Sequence, residues 1–353
     1  MNNITAKIYS TNEELFKSSV PKSEHKICTK ELGQYVMDAA ILAGCQKACE
    51  DAIDTPYVLA IDSGVPFITA ESIKSAVDYH ISKGNNSTAI VSEENVVGYV
   101  FDLAAYNNET KKAEDKYVIP ETFYIKTKID LAEAEKIMQK SINEKLMLNG
   151  VTIHSPETVI ISPDAKIGKD TEIFPNVVIE GNAKIGENVI ITSTTKIVNS
   201  EISDGVSIQS SVILDSKIGE KTTVGPFAYV RPNCVVGANA RIGDFVELKN
   251  CNIGNGTKVS HLTYVGDADV GEKCNFGCGT VTVNYDGKKK YRTVIGNNVF
   301  VGCNSNLVAP VTLNDGAYTA AGSTITDEVP ENQLAIARAR QVNKAGWKDR
   351  RSE

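Results

Sequence analysis

No run of apolar residues in this 353-residue chain approaches the length of a membrane span, which excludes a helical membrane protein as the expected class. The opening MNNITAKIYSTNEELF is too polar for a secretory signal, so the expected setting is the cytoplasm, with no membrane partner. Positive charge is scarce as well. With 37 Lys and Arg against 44 Asp and Glu the net charge is -7, which argues against a nucleic-acid partner, because neutralising phosphates needs a clustered basic surface. Basic residues concentrate in two places: the terminal stretch from Arg338, and the knot Lys288, Lys289, Lys290 and Arg292. Such clusters are commonly solvated surface, and both also suit a polyphosphate. The eight cysteines (28, 45, 49, 234, 251, 274, 278 and 303) include no Cys-x2-Cys pair. The Cys-x3-Cys spacings at 45/49 and 274/278 lack partners at zinc-finger distances, so reduced thiols packed as small hydrophobes are expected, with no metal.

What is present is a soluble globular composition, 42% hydrophobic and 23% charged, on a chain long enough for two cores. The first ~125 residues alternate β-rich apolar runs with helical spacing, which predicts a small α/β unit. PYVLAID (56–62), STAIVS (87–92) and GYVFDL (98–103) read as strands. AESIKSAVDYHIS (70–82) reads as a helix capped by Thr69, and an earlier helix is expected over Gly33 to Ala48. NNETKKAEDK (107–116) is a polar loop. A connector helix is expected from Asp130, as N-cap, to a stop at Gly150.

From Ile161 the pattern changes. Ile recurs at 161, 167, 173, 179, 185, 191 and 197, and after a one-residue slip the same register continues through Ile202, Ile208, Ile218, Val224, Val230, Val236, Ile242 and Leu248. A six-residue period fits neither helical repeat, but it is the signature of a hexapeptide parallel β-helix, in which each hexad gives a short strand and a turn. Three hexads make one triangular coil, and Ile161 to Ile325 predicts about nine coils in a prism roughly 45 Å tall. The period does not fix the hand. Val281 to Val294 leaves the register as an inserted loop, and after Val329-Pro330 the repeat is expected to stop.

Arg231 to Lys290 holds polar residues that an aliphatic scaffold does not need. Arg231, Lys249 and the His261/Tyr264 pair recur at roughly one coil, so they are expected near one edge of the prism. That set suits a small anionic substrate whose proton is taken by a base poised near neutrality. Taken alone, His261 also fits a hydrogen-bonded structural role. Glu247, two residues before Lys249, is expected to orient the imidazole; the alternative is a surface acid paired with lysine.

GPFAYVRP, FVELKN, KVSHLTYVGDA, NFGCGTVTVNYDGKKKYRT, FVGCNSNLVAPVT, AAGSTIT and AIARARQVNKAGW closely resemble the C-terminal half of the bifunctional N-acetylglucosamine-1-phosphate uridyltransferase/glucosamine-1-phosphate acetyltransferase (GlmU) family. The resemblance implies a left-handed β-helix, an exception to the right-handed crossover rule, and homotrimers with acetyl-CoA sites between subunits. It places the catalytic base on His261 with Glu247 as its partner. Sugar-phosphate binding falls on Arg231, Lys249, Tyr264, Asn275 and Lys290, and acetyl-CoA on Asn284, Tyr285, Cys303, Ala321, Arg338 and Lys344. Cys303 stands where a serine is common, and a thiol is the weaker hydrogen-bond donor.

Upstream, SSVPKSEHKICTKELGQYVMDAA and PYVLAIDSGVPFITAESI resemble the uridyltransferase half, with Lys22 at a motif lysine. The resemblance thins in that half. The Gly-rich phosphate loop has no counterpart, Gly64 stands at the magnesium-binding aspartate of a GDVP motif, and Thr127 stands at a second metal ligand. Without loop amides or that carboxylate, Mg²⁺ is not expected and uridylyl transfer loses its electrostatic support.

The chain is therefore expected to be mainly β: 1–128 a reduced α/β nucleotidyltransferase-like domain, 129–150 a helical connector, 151–328 a left-handed β-helix acetyltransferase domain and 329–353 a basic arm. The expected activity is N-acetylation of glucosamine-1-phosphate in UDP-N-acetylglucosamine and cell-wall precursor synthesis. The alternatives are the full bifunctional enzyme and a non-catalytic solenoid scaffold.

Overall fold

The structure is a computed structural model that describes residues 3–48, 53–109 and 112–347. Cys49 and parts of the 107–116 loop and of the C-terminal arm lie outside the described residues. The chain divides into two compact units, Met1–Ile142 with Ile161–Pro163, and Asn143–Ile160 with Asp164–Glu353. Among the described residues no helix is long and apolar enough to cross a membrane.

The first unit is α/β. Its sheet is built on Tyr57–Asp62, which pairs in parallel with Ile4–Tyr9 and antiparallel with Asn95–Asp102; Ser87–Ser92 and Asp115–Val118 continue the sheet beyond that strand, and Gln46–Lys47 flanks the other edge. The strand Ile4–Tyr9 carries no alternation that would mark it by pattern, because Ile4, Thr5 and Ala6 are buried in a row. The helix Ala70–Lys83 starts where expected, with the Thr69 hydroxyl accepting from the Ser72 amide at 3.1 Å. The helix expected over 33–48 is shorter, Leu32–Leu42, because the chain turns at Gly44 into the edge strand Gln46–Lys47. The long helix runs Lys128–Leu148, and Asp130 is not its N-cap. Thr127 occupies that place: its amide donates to Asp130 Oδ2 at 2.8 Å and its hydroxyl accepts from the Asp130 amide at 3.3 Å, a reciprocal capping box.

The second unit is a parallel β-solenoid of three sheets with 10, 9 and 11 strands among the described residues, which makes about ten coils rather than nine. Each strand pairs in register with the one a coil later, as in Ile179 with Ile197 and Ile197 with Ile213. The hexad residues point inward as the period requires: Ile173, Ile179, Ile191, Ile197 and Ile208 are fully buried, while Ile167 is half-buried. The solenoid starts earlier than the Ile run, at Thr152–Ile153, and it does not stop at Val329, because Leu334–Ala335 still pairs with Tyr318–Thr319. The inserted loop is narrower than expected. Val281–Val283 and Thr293–Ile295 remain strands, and an antiparallel bridge between Tyr285 and Lys290 closes the loop at its neck.

Candidate functional site

Of the residues suggested by sequence, His261, Cys303 and Ala321 fall on one turn column of the solenoid, and Glu247, Lys249 and Tyr264 on a sheet face. Strand pairing puts Asp244 beside His261 one coil apart. Gly243 permits this stacking, since a Cβ there would fall 1.9 Å from the Ser260 carbonyl oxygen. His261 Nδ1 lies 2.5 Å from Asp244 Oδ1, and this hydrogen bond holds the Asp244 carboxyl below its ordinary range. The carboxylate therefore accepts from an Nδ1–H, which leaves Nε2 as the free lone pair of the neutral ring. Continuing the register by one coil at a time places Cys278, Cys303 and Ala321 at the same turn position as His261.

Glu247 does not orient His261. Its Oε1 accepts from Arg231 Nη1 at 2.9 Å, because the parallel register sets Glu247 opposite Tyr229, two residues from Arg231, while Asp244 takes the place beside the imidazole. Of the two readings open for Glu247, the paired surface acid describes its position, with Arg231 as the partner in place of the expected lysine.

On the adjoining face, Tyr264 follows Glu247 in the same row, and Lys249 closes the strand Glu247–Lys249. Asp267, 7% exposed, gathers the cluster: it lies 3.6 Å from Lys249 Nζ, accepts from Asn250 Nδ2 at 2.6 Å and also accepts from the Asn284 amide. Burial pushes the Asp267 carboxyl up, but the Asn250 and Asn284 hydrogen bonds and the Lys249 and Lys290 charges outweigh it and hold it low. Asn284 also reaches the Tyr264 hydroxyl at 3.4 Å. Lys290 comes from the inserted loop to face Lys249. Lys249, against Lys290 and facing Asp267, is held above its ordinary value, while Lys290, against the Lys249 ammonium, is pushed below. Two amines brought together, with Arg231 near both, outnumber their acids, Asp267 and the Glu247 that pairs with Arg231, and make a ready anion site.

Asn275 lies on the sheet of Lys258–His261 rather than that of Lys249, between Lys258 and Phe300. Tyr285 is exposed in the inserted loop, its hydroxyl donating to the Gly287 carbonyl at 2.7 Å. Arg338 follows the last strand, its Cδ 3.8 Å from where a Cβ on Gly322 would stand, and Lys344 is exposed further along. Two carboxylates, Asp244 and Asp267, escaped sequence reasoning. The signal was the coil period itself, which sets Asp244 one coil before His261 and Asp267 one coil after Asn250, next to Lys249.

In the first unit, Lys22 and Asp62 are wholly buried and paired, Nζ to Oδ1 at 2.9 Å. Lys22 Nζ also donates to the carbonyls of Thr11 at 2.9 Å and Ile125 at 3.4 Å. Asp62 accepts from the Gly64 amide at 2.6 Å, the Thr11 amide at 2.9 Å and the Tyr124 hydroxyl at 3.2 Å. A Cβ on Gly64 would fall 2.8 Å from both the Ile125 carbonyl oxygen and the Tyr124 ring, so a carboxylate has no room there. The residues at this place do not fit a magnesium ion: the available acid is already neutralised by an ammonium group, and Thr127 serves as the helix cap.

Residues 214–304 match the GMPPB C-terminal domain family, and residues 164–199 and 292–327 match the bacterial transferase hexapeptide repeat. The bifunctional protein GlmU of Clostridium botulinum is 57% identical over 247 residues, covering 69% of this chain and 54% of that protein. This chain thus spans about half the length of the curated relatives matched at such identity. The bifunctional protein GlmU of Clostridium kluyveri is 40% identical over 432 aligned positions, covering 94% of this chain and 95% of that protein. That alignment is longer than the chain, so the relative carries segments that this chain lacks. A solved UDP-N-acetylglucosamine acyltransferase of Francisella novicida overlays at a TM-score of 0.39 with 20% identity, over 53% of this chain and 67% of that one. Such identity over nearly the whole of both chains places this protein in the family of bifunctional GlmU proteins.

Proposed function

We propose that this chain is an acetyl-CoA-dependent N-acetyltransferase acting on glucosamine-1-phosphate, with uridylyl transfer lost. The observation that carries the reading is the pairing of a carboxylate-held imidazole, His261 on Asp244, with an adjoining anion site of Lys249, Lys290 and Arg231. The amine of the acceptor attacks the thioester carbonyl of acetyl-CoA, His261 Nε2 takes the amine proton, and CoA thiolate leaves. Asp244 keeps the proton on Nδ1 and steadies the imidazolium that forms. The lysines and Arg231 hold the acceptor phosphate, with Tyr264 and Asn275 toward the sugar. Asn284, Tyr285, Cys303, Ala321, Arg338 and Lys344 are the coenzyme side, with the two basic residues suited to its phosphates.

We also propose a cytoplasmic homotrimer. Phe227, Phe245 and Leu262 stand at turns of three successive coils, 58%, 56% and 58% exposed, with φ of 60°, 54° and 46°. Bulky side chains at positive φ are strained. The stacked, exposed phenyl rings, with centroids 5.4 Å apart, support a surface that a second copy covers. Free CoA thiol released from acetyl-CoA only when glucosamine-1-phosphate is present tests the reaction; an unchanged rate in His261→Ala refutes the base.

The second reading, the full bifunctional enzyme, is favoured by the Clostridium kluyveri alignment, which takes in 94% of the chain and so reaches the α/β unit. Pyrophosphate release from UTP and N-acetylglucosamine-1-phosphate with Mg²⁺ decides between the two. The Lys22–Asp62 pair and the absent room at Gly64 support its failure.

A further inference from the structure

Two thiols on the His261 column have no part in the proton transfer. Of the described cysteines, Cys28, Cys45, Cys234, Cys251 and Cys274 are buried, whereas Cys278 is half-buried and Cys303 exposed. These two occupy the same turn position on adjacent coils. Asn275 pairs with Phe300 and Phe276 with Val301, and the residues that follow the thiols, Gly279 and Asn304, both have positive φ, 77° and 53°. The turns are tied together by the Asn304 amide donating to the Cys278 carbonyl at 2.8 Å. Equivalent turn positions in a parallel stack lie one sheet spacing apart, about 4.8 Å. That falls within the Cα separation a disulfide spans, about 4.4–6.8 Å. Cys234 and Cys251 also stand one coil apart, with Sγ atoms at 3.8 Å, but they are buried where an outside oxidant does not reach.

We propose that Cys278 and Cys303 form a thiol-exchange site for low-molecular-weight disulfides. The Cys303 thiolate attacks one sulfur of the small disulfide, giving a mixed disulfide and releasing one thiolate. The Cys278 thiolate then attacks the Cys303 sulfur, forming the inter-coil bond and releasing the second. Two protein thiols are oxidised and one small disulfide is reduced to two thiols, with no other reagent consumed. The exposed position makes the bond readily reversed by dithiols. Coenzyme A disulfide is the favoured small disulfide, and this choice rests on the acetyl-CoA reading proposed above. The pairing of the thiols does not.

The full-length chain is incubated under native conditions with coenzyme A disulfide and, separately, with oxidised glutathione, then examined by intact mass and peptide mapping. The expected result is a mass lower by two hydrogens, a 278–303 cross-linked peptide, and reversal by dithiothreitol. Cys278→Ser is expected to stop at a single mixed disulfide on Cys303. A cross-link formed with glutathione alone supports the thiol pair and counts against the coenzyme reading. Loss of no thiol with either reagent, a 234–251 link, or a mixed disulfide that persists on Cys303 in the unsubstituted chain overturns the proposal.

Discussion

Replacing Lys22 with methionine removes the ammonium group while nearly conserving side-chain volume. The ion pair to Asp62, the donations to the Thr11 and Ile125 carbonyls and the cation–π contact with the Tyr124 ring vanish. Breaking a buried pair from one side costs about 3–5 kcal/mol, because the remaining charge is stranded away from water. Asp62 keeps the Gly64 and Thr11 amides and the Tyr124 hydroxyl, which stabilise the carboxylate, so the lower end, about 3 kcal/mol, is expected. Hydrogen exchange suits a two-unit chain better than a global melt, since it reads each unit separately. In Lys22→Met, amides of Ile4–Tyr9 and Tyr57–Asp62 should exchange roughly 100-fold faster, while those of the solenoid stay unchanged. Adding Asp62→Asn should recover most of the loss, because replacing both partners removes the stranded charge. MgUTP should not alter exchange in the unsubstituted protein. Unchanged protection in the single variant, or a double variant less protected than the single, refutes the account of this pair as an internal counter-ion.

Three further outcomes follow from the solenoid. Asp244→Asn should lower kcat of acetyl transfer roughly tenfold with little change in KM, less than the 10²–10⁴-fold expected for removing the base itself, as steady-state thiol release in His261→Ala beside Asp244→Asn would show. Lys290→Met should raise the acceptor KM about tenfold or more, the worth of a charged hydrogen bond, while the acetyl-CoA KM stays put; equal effects on both substrates would remove Lys290 from the anion site. Phe245→Asp should shift sedimentation from three copies toward one with the circular dichroism of the β-solenoid retained, and an unchanged sedimentation coefficient would place the subunit interface elsewhere.

Much of the fold was legible because it is periodic. A residue repeated every six positions reads the same at every coil, so Ile179, Ile191 and Ile208 announced an inward-facing stack before any coordinate. The capped helix after Thr69 and the strand ending at Asp62 were legible from local chemistry alone. The solenoid ends were not. Thr152–Ile153 and Leu334–Ala335 are two-residue strands stabilised by a neighbouring coil rather than by their own pattern. The hand followed from resemblance, since period and pairing are the same for either.

The sequence by itself determined which residues are candidates for chemistry: an imidazole, an arginine, two lysines and a tyrosine are out of place in an aliphatic stack. Only the tertiary structure decided who faces whom. Glu247 and Asp244 are both acids near His261 in the chain, but a parallel register shifts partners by whole coils, so Asp244 meets the imidazole and Glu247 meets Arg231. The same holds for Asp267, which joins Lys249 to Asn284 across the inserted loop, and for Lys22, whose partner Asp62 lies 40 residues on. Side-chain chemistry is a property of single residues and survives in sequence; pairing is set by which strands lie side by side, and that is fixed only when the chain is folded.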